Sequence, residues 1–525
     1  MVGTIWAFLP AVIAIVLALI TKQVYVSLFL GIFVGGLMYT GGDPLNGLFT
    51  VFKVMSEKVG DNVPIIVFLV VLGILVVLMQ KSGGARAYGE WAGRKIKTKG
   101  GALAATAGLG CLIFVDDYFN CLTVGSVMRP VTDKFKVSRS KLAYIIDATA
   151  APICIIAPIS SWAAAVAGEL EGDGLMVFIS TIPFNVYALL TIVMVFTLCF
   201  VKFDFGKMKK REDYAEKTGD LFGGVKSDEI KDEIVKENPK GKVRDLLIPV
   251  ITLIVCCIGG MIYTGFFYNW DTGLIGSELQ SANVIEAFSN CDAGMSLAIG
   301  STVALVFISI YYMALKVVSF KEITDSFVDG FKAMVPAILI LTFAWSISGI
   351  MGAKGGYLDA RAFVQTNLAN SSFPQFLFPA IFFILAGAIA FSTGTSWGTF
   401  GVLVPIAVAI LGGSGTLTIL TVSATLGGAV FGDHVSPISD TTILASAGAK
   451  CNHVDHVNTQ LPYASIVASV SAVAYLIGGA CVQLGGALSA IIMWASALII
   501  FAGVVILIKF LNKKNQEKEE VPSKE

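Results

Sequence analysis

The sequence predicts an all-α polytopic membrane protein with about 11 transmembrane helices and two re-entrant hairpins, arranged as an inverted structural repeat. Three observations predict this class. The chain of 525 residues is 55% apolar, it is only 14% charged, and its apolar residues fall in runs long enough to cross a bilayer. Because an ordinary soluble domain carries about 25% charged residues, a soluble enzyme is excluded. The balance of 37 basic and 37 acidic residues excludes a strongly basic nucleic-acid-binding protein.

The candidate transmembrane helices follow from the lengths of the apolar runs. A bilayer core of about 30 Å requires roughly 20 apolar residues in each helix. The runs that fit are 4–20, 24–40, 63–80, 142–165, 175–201, 245–266, 294–315, 333–351, 417–448, 459–483 and 487–509. Two further apolar segments, about 101–128 and about 375–412, are interrupted by Gly, Ser, Thr, Asp and Asn.

The orientation of these segments follows from the basic residues between them, because Lys and Arg cluster on the cytoplasmic side. Segments 81–99 and 129–141 carry six and five basic residues, so the stretch between them must enter and leave on one side. The loop 202–245, with 12 basic and 11 acidic residues, is also cytoplasmic, and the acidic loop 168–174 faces outside. If the N-terminus is outside and the C-terminus is cytoplasmic, 375–412 must be a second hairpin.

The two ends and the cysteines carry less information. The first 20 residues lack a basic leader, so we interpret them as a retained span rather than a signal peptide. Residues 511–525 are polar and are expected to form a disordered cytoplasmic tail. The nine cysteines show no disulfide spacing and are interpreted as small buried hydrophobic residues.

The two halves repeat one pattern of span, hairpin, broken span and span, with opposite starting sides. Inverted repeats of this kind are typical of secondary transporters. A short echo supports the repeat, because Ala157–Trp162 resembles Ser436–Thr441. The predicted units are N-terminal transmembrane helices 1–62, first repeat 63–201, cytoplasmic charged loop 202–245, scaffold helices 246–332, second repeat 333–483, last transmembrane helix 484–510 and tail 511–525.

Polar residues concentrate at the hairpins and at the breaks that follow them. A carboxylate deep in a bilayer costs about 2.5 kcal/mol or more on insertion scales, so buried acids usually mark function. The candidate cation-, proton- or substrate-binding residues are Asp116, Asp117, Asn120, Thr123, Asp147, Ser160, Ser392, Thr393, Thr395, Ser396, Asp433, His434, Ser436, Ser439, Asp440 and Thr441.

Each candidate also has a structural interpretation. Asp116 and Asp117 could be solvated in a shallow hairpin, and adjacent residues point differently, so one of them alone could reach the site. Asp147 could lie at the cytoplasmic end of its helix, and His434 could support the break instead of carrying a proton. The Ser and Thr residues of 392–399 could serve helix packing.

The candidate groups are mostly oxygens, which are the ligands of hard cations. We expect Na⁺ to bind through oxygens of Asp117, Asn120, Thr395, Asp433 and Asp440. Clustered carboxylates without a cationic partner would hold protons until Na⁺ replaces them. Cys451–His456 contains metal-ligand residue types, but it falls in a predicted short cytoplasmic loop without a partner cluster, so no metal site is expected there. The absence of a GxxxxGK[ST] motif argues against an ATP-driven pump.

At these motifs the sequence resembles the NhaC-type Na⁺/H⁺ antiporters of the ion transporter superfamily. The resemblance rests on Asp116–Gly125, Ser392–Gly398 and Gly432–Thr442, and it covers roughly 60–485. It implies a scaffold domain and a mobile transport domain that carries both hairpins, commonly in a homodimer, in a prokaryotic inner membrane. It also implies that the site residues lie at the two hairpin tips and the two breaks.

These observations predict a transporter without covalent chemistry or a cofactor, coupled to Na⁺ and H⁺. The leading hypothesis is that proton entry drives Na⁺ extrusion through shared acids. The competing hypothesis is Na⁺- or H⁺-coupled transport of a small organic acid or amino acid, because the family label also covers such members. A channel fits less well, since inverted broken repeats suit alternating access.

Overall fold

The computed structural model describes residues 1–21, 23–170, 174–201, 204–225, 238–269, 274–276, 279–284, 287, 291–352, 356–367, 374–412, 415–437 and 439–519. The architecture over these ranges is helical, which confirms the all-α polytopic class. The first twelve helices are α1 Leu9–Thr21, α2 Val24–Tyr39, α3 Pro44–Asp61, α4 Val63–Ser82, α5 Gly84–Lys95, α6 Lys99–Leu112, α7 Asp117–Lys134, α8 Arg139–Ala148, α9 Ala151–Cys154, α10 Ser161–Glu169, α11 Gly174–Thr181 and α12 Val186–Phe200.

The remaining helices are α13 Gly206–Thr218, α14 Arg244–Phe267, α15 Ala293–Ala314, α16 Phe320–Met351, α17 Ala360–Asn367, α18 Phe378–Thr393, α19 Ser396–Leu411, α20 Thr416–Val435, α21 Asp440–Ala449, α22 His453–Cys481 and α23 Gly486–Glu519. Short 3-10 turns occupy Ile5–Phe8, Ile182–Phe184, Gln375–Leu377 and Val482–Leu484. After α14, strands β1 Tyr268–Asn269 and β2 Leu274–Ile275 form a small antiparallel pair, with Tyr268 opposite Ile275.

Seven of the described helices are long and apolar enough to cross a membrane, and ten candidates result if each bent helix pair counts as one span. The seven are Val63–Ser82, Arg244–Phe267, Gly294–Ala314, Gln375–Thr393, Thr416–Val435, His453–Leu484 and Gly486–Asn512. The predicted count of eleven spans and the positions of the termini relative to the membrane stay predictions.

Helix α3 was not among the predicted spans. Asp43 caps its first turn by accepting hydrogen bonds from the amides of Leu45 and Asn46, and Pro44 occupies the position where a missing N–H costs nothing. The chain turns by 119° between α2 and α3, so α3 folds back on α2. Its Val51 and Val54 are fully buried in a cluster with residues of α16. Charged residues on its other face obscured this apolar side in the sequence.

The first predicted hairpin is a pair of helices, α6 and α7, separated by residues 113–116. Lys99 Nζ at the start of α6 lies 2.8 Å from Glu212 Oε2 of α13. Just beyond the end of α7, Lys136 Nζ donates to the backbone carbonyl of Glu216, again on α13, at 3.4 Å. Both ends of the pair therefore lie beside the same helix, and the tip at 113–116 is the far end.

The second predicted hairpin consists of α18 and α19, and the chain turns at Gly394 with φ +72°. Its two ends meet the turn between α22 and α23: Phe376 packs against Gly479, and Thr416 packs against Gly486. Helix α22, about 43 Å long at 1.5 Å per residue, begins beside α13, where Arg211 binds Asp455. The two hairpins therefore open toward opposite ends of the molecule, as the predicted inverted repeat requires; the repeat itself stays a prediction.

Both spans that follow the hairpins are broken. The predicted run 142–165 divides into α8, α9 and α10, and the last of these continues to Glu169. The predicted run 417–448 divides into α20 and α21 with residues 436–439 between them. In both spans the last helical segment begins at a serine N-cap. Ser160 Oγ accepts a hydrogen bond from the amide of Ala163 in α10, and Ser439 Oγ accepts one from the amide of Thr442 in α21.

Three segments differ from the sequence-based interpretation. The charged loop 202–245 contains α13, whose Met208, Glu212 and Ala215 are buried. Helix α23 continues to Glu519, beyond the predicted start of the tail at 511, because the charged residues there are good helix formers and extend an existing helix. Glu169, expected in an exposed outer loop, is 2% exposed at the end of α10. Residues 520–525 lie outside the described ranges.

The two halves interlock in the middle of the fold. Trp162 of α10 packs against Trp397 and Phe400 of α19, with ring centroids 5.7 Å and 5.2 Å apart. Helix α7 crosses α21 where Gly125 lies directly on the backbone of Gly448, so that a side chain at either position would overlap the other helix. This close packing holds the first hairpin against the second break.

Candidate functional site

The first hairpin places its acids in the interior. Asp116 and Asp117 are 1% and 0% exposed, which is inconsistent with a shallow, solvated hairpin. Asp117 Oδ2 accepts a hydrogen bond of 3.0 Å from Trp162 Nε1, and Oδ1 accepts the amide of Tyr118 at 3.2 Å. The tip is tied to the first break, since Ser161 N donates to the carbonyl of Val115 at 3.0 Å. The hairpin tip and the break therefore form one unit around Asp117.

Asn120 and Ser160 act mainly as structural supports in this unit. Asn120 Nδ2 donates to the carbonyls of Gly110, Ile113 and Thr149, which ties the end of α6 to the end of α8. Asn120 Oδ1 has no hydrogen-bond partner among the described residues and could still bind a cation. Ser160 Oγ caps α10 and donates to the carbonyl of Cys154 at 2.7 Å. The hydroxyl oxygen of Ser160 is therefore already hydrogen-bonded to backbone groups of the break.

The second break surrounds Asp433, which is 2% exposed at the last turn of α20. Its Oδ2 accepts a hydrogen bond of 2.7 Å from Thr441 Oγ1, and Thr441 Oγ1 lies 3.2 Å from Ser439 Oγ. The carbonyl of Ser436 accepts from Thr442 Oγ1 at 3.1 Å. Asp440 is the first residue of α21, and its side chain lies outside the described residues. Hydroxyl groups therefore line the carboxylate in this break.

Asp147 is fully buried on α8 and contacts the second half directly. Its Oδ2 accepts a hydrogen bond of 2.6 Å from Gln460 Nε2, which also donates to the backbone carbonyl of His434 at 2.6 Å. His456 Nε2 lies 3.5 Å from the same Asp147 oxygen. The ring of His434 is held by Tyr187, whose hydroxyl lies 2.9 Å from Nδ1. Asp147 therefore does not lie at a solvated helix end.

The acids of the two halves lie within electrostatic range of one another. Asp433 interacts with both Asp117 and Asp147. Cys121, one turn after Asp117 on α7, is within range of Asp116, Asp117, Asp147 and Asp433. The structure thus brings together the hairpin acids, the acid of α8 and the acid of the second break.

The hydroxyl groups of the second hairpin are used differently. Ser392 and Thr393 donate to the carbonyls of Ala388 and Ile389 on their own helix, and Ser392 is only half-buried. Thr395 caps α19 through the amide of Gly398. A cavity of about 20 Å³ adjoins Thr393, Thr395 and Thr399, and its other lining residues are apolar and come from α1, α2 and the hairpin itself. Ser396 and Thr123, 2% and 5% exposed, complete the set of buried candidates.

In the part of the chain that the structure describes, no three His, Cys, Asp or Glu side chains are grouped closely enough to hold a metal ion. Carboxylates alone therefore do not form a cation cage. A cation bound here would need hydroxyl, amide or carbonyl oxygens in addition. Thr441 and Asn120 supply such groups beside the acids.

Sequence reasoning missed several residues of this region. His456 and Gln460 lie in the first turns of α22, whereas the sequence pattern placed His456 in a short loop and Gln460 at the edge of a span. Tyr187 belongs to an ordinary apolar run. Trp162 and Trp397 lie within the quoted motifs, but only their polar neighbours drew attention. The sequence did contain one signal for this region. His456 and Gln460 are polar residues four positions apart, so they lie on one face at the start of an apolar helix.

Comparison with known proteins adds the decisive observation. A sequence model described as the Na⁺/H⁺ antiporter family matches residues 173–480, more than half of the chain. This chain belongs to the Na⁺/H⁺ antiporter family. The match covers the second hairpin and the second break. Membership in an antiporter family, together with the apolar helices, identifies a membrane-embedded secondary transporter rather than an enzyme.

Two proteins that this chain resembles have names that refer to different transported solutes. An uncharacterized protein of Haemophilus influenzae is 39% identical over 496 residues, which is 91% of each chain. The malate-2H⁺/Na⁺-lactate antiporter of Bacillus subtilis is 35% identical over 156 residues, 29% of this chain and 31% of that protein. The arginine/ornithine antiporter of Halobacterium salinarum is 39% identical over 116 residues, 21% and 24% of the two chains.

Proposed function

We propose that this antiporter exchanges cytoplasmic Na⁺ for external H⁺ by alternating access in a prokaryotic cell membrane. The observation that carries the proposal is the position of Asp433, which lies within electrostatic range of Asp117 and Asp147 although all three are buried. Buried carboxylates that face one another strongly favour binding of a positive charge. A proton and Na⁺ both supply it, so the two ions compete for the same acids.

The contacts of each acid suggest a division of roles. Asp433 has the hydroxyl of Thr441 beside it, and Asp117 has the indole N–H of Trp162. Both donors stabilise a carboxylate, and a cation can still bind, because the two oxygens of a carboxylate together offer about four acceptor sites. Asn120 Oδ1, which has no hydrogen-bond partner among the described residues, supplies a further oxygen near Asp117. Na⁺ bound by these groups as substrate would be released when protons return to the carboxylates.

A second candidate is exchange of a small organic acid or amino acid, coupled to Na⁺ or H⁺. The names of the Bacillus and Halobacterium relatives favour it, because both are antiporters of organic solutes. Two buried donors near the acids, Trp397 Nε1 and His434 Nε2, have no hydrogen-bond partner among the described residues and could bind a carboxylate. The homodimer and the orientation in the membrane stay predictions.

The deciding experiment uses proteoliposomes that contain a pH-sensitive dye and no organic solute. An outward proton gradient is set up, and either a Na⁺ salt or, as the control, a K⁺ salt is then added outside. Na⁺-dependent movement of protons by the wild type, absent with K⁺ and absent in protein-free vesicles, supports Na⁺/H⁺ exchange. If protons move only after malate, lactate, arginine or ornithine is added, the result contradicts simple Na⁺/H⁺ exchange and supports the second candidate.

A further inference from the structure

The buried cluster around Asp147 has more donors and acceptors than its internal hydrogen bonds use. Five atoms are buried without a hydrogen-bond partner among the described residues: Asp147 Oδ1, His434 Nε2, both ring nitrogens of His456 and Gln460 Oε1. Each such atom lowers the stability of the folded state, because it gives up hydrogen bonds to water without replacing them. Five of them in one cluster are therefore unfavourable for stability and indicate a functional use.

Within this cluster, one imidazole approaches the carboxylate itself. His456 Nε2 lies 3.5 Å from Asp147 Oδ2, and both side chains are 0% exposed. The two residues come from different halves of the chain, Asp147 from α8 and His456 from α22. Gln460, one turn after His456, donates to the same carboxylate oxygen at 2.6 Å and so holds α22 against α8. At this distance the two side chains form an ion pair whenever the imidazole is protonated.

The other imidazole is placed differently. His434 has its Nδ1 engaged by the Tyr187 hydroxyl at 2.9 Å and follows Asp433 directly in the chain. It lies within electrostatic range of Asp147 and of His456. His434 therefore belongs with the second break and its carboxylate, whereas His456 faces Asp147.

The pair is also close to the acids that we assign to Na⁺. The titratable groups that act on Asp147 are Tyr144 of α8, Cys121 of α7, Tyr187 of α12, Asp433 and His434 of α20 and His456 itself. Asp455, which precedes His456 in the chain, forms a bidentate ion pair with Arg211 of α13. Because Asp433 and Asp147 interact electrostatically, a positive charge that binds at Asp433 changes the electrostatic potential at Asp147.

We propose that Asp147 and His456 carry one exchanged proton in addition to those that Asp117 and Asp433 exchange for Na⁺; the inference rests on the proposed Na⁺/H⁺ exchange. In the proton-loaded state the extra proton is on the imidazole, and the Asp147 carboxylate is its counter-ion. When Na⁺ binds near Asp433, repulsion between the positive charges expels this proton to water. The imidazole is then neutral, and Asp147 keeps its negative charge.

The first test measures proton release from the purified full-length chain in detergent and weak buffer as NaCl is added. Na⁺ affinity is measured separately from the Na⁺-dependent rise in Tm. We expect His456→Gln to keep Na⁺ binding but to release fewer protons for each Na⁺ that binds than the wild type does. The matched control is His453→Gln, one turn earlier, where a half-buried ring bonds Ser446 and the Pro437 carbonyl and does not contact Asp147. Unchanged proton release from His456→Gln would overturn the proposal.

A second measurement uses the unaltered protein, so it does not depend on the folding of a variant. The sequence contains three histidines, and labelling of their rings gives three NMR signals. We expect one ring, assigned to His456 by its absence in His456→Gln or by elimination with the His453→Gln and His434→Gln spectra, to titrate with pH and to shift when NaCl is added. A His456 ring that stays neutral and insensitive to NaCl over the whole working pH range would overturn the proposal.

The two proposals can fail separately. If the wild type binds Na⁺ and exchanges it for protons while His456 neither titrates nor affects proton release, the exchange function stands and the pair is wrong. If the wild type binds no Na⁺, the exchange function fails. The pair is then tested by the pH titration of the His456 ring in the wild type and in Asp147→Asn. A titration that is the same in both would contradict the pair.

Discussion

Trp162 Nε1 donates a hydrogen bond of 3.0 Å to Asp117 Oδ2. Asp117 begins the second arm of the first hairpin, whereas Trp162 lies just after the first break, so this bond joins the two. The same indole ring packs on Trp397 of the second hairpin, with ring centroids 5.7 Å apart. One side chain therefore connects a candidate cation-binding acid with both hairpins.

Replacement of this donor tests whether Asp117 binds the cation. A hydrogen bond to a charged group contributes roughly 1.5–3 kcal/mol, so Trp162→Phe is expected to weaken Na⁺ affinity by roughly tenfold to a hundredfold. The measurement is the Na⁺ dependence of exchange in proteoliposomes. Trp397→Phe is the matched control, because its indole N–H has no hydrogen-bond partner among the described residues. Equal losses in both variants would show that only aromatic packing matters.

The second break is tested by removing its charges. We expect Asp433→Asn and Asp440→Asn each to abolish the coupling of Na⁺ flux to proton flux, because a neutral amide cannot alternate between a proton and Na⁺. Gel filtration and circular dichroism check that the variants are folded. Thr441→Val removes only the hydroxyl that donates to Asp433 and should weaken Na⁺ binding without abolishing coupling. Full Na⁺-dependent proton flux in both Asn variants would exclude the second break from the mechanism.

The crossing of α7 and α21 is tested at Gly125. A methyl group there would overlap the backbone of Gly448, and backbone cannot move aside as a side chain can. Overpacking of this kind typically costs about 1–3 kcal/mol, so Gly125→Ala should lower Tm in detergent. Gly108→Ala is the control, since a methyl group there meets nothing within 4 Å on the neighbouring helix α6. That change should be neutral or stabilising by about 0.5–1 kcal/mol, because alanine favours helices.

Helix α13, in the charged loop 202–245, is expected to make stability depend on pH. Burial of Glu212 would raise the pKa of its carboxyl, but Lys141 and Lys99 beside it outweigh burial and lower the pKa below its ordinary value. Glu212 therefore stabilises the folded state above that ordinary value, and this stabilisation is lost as pH falls through the lowered pKa. Thermal unfolding of wild type should show this loss at acidic pH.

The variant Glu212→Gln should be less stable at neutral pH and should show a flatter acidic limb. Glu216→Gln is the matched control one turn later, because the Glu216 side chain is 70% exposed and its 3.7 Å contact with Lys99 contributes little. If wild type and Glu212→Gln lose stability in parallel between pH 7 and the acidic limb, the ion pairs of Glu212 do not govern the acid dependence.

Most of the architecture could be predicted from local sequence features. Runs of apolar residues located the helices, and clusters of Lys and Arg required both hairpins. Pro and Ser in 152–161 and in 436–439 located the two breaks, because proline removes a backbone donor and serine caps the helix that follows. Helix α3 was missed because its charged face lowers the mean hydropathy of a segment whose other face is buried.

The contacts within the site could not be predicted in the same way. Gln460 and Asp147 are separated by 313 residues, and their contact depends on how α8 packs against α22. Spacing also does not show how a polar atom is used: Ser160 lies in the break, yet its oxygen caps α10. Asn120 lies in the hairpin, yet its amide nitrogen supports three carbonyls. Only the packed structure separates such supports from groups that remain available to an ion.

Helix α13 has a consequence for motion. The segment around it binds Lys99 of α6, Lys141 of α8, Asp455 of α22 and Asn512 of α23. Three of these contacts are ion pairs, two of which include a side chain that is 4% exposed, and the fourth is a hydrogen bond from Asn512 to the carbonyl of Asp204. Sliding of the four helices past one another would break these contacts. If transport exposes the site alternately to the two sides, we therefore expect this group to move as one rigid piece against the remaining bundle.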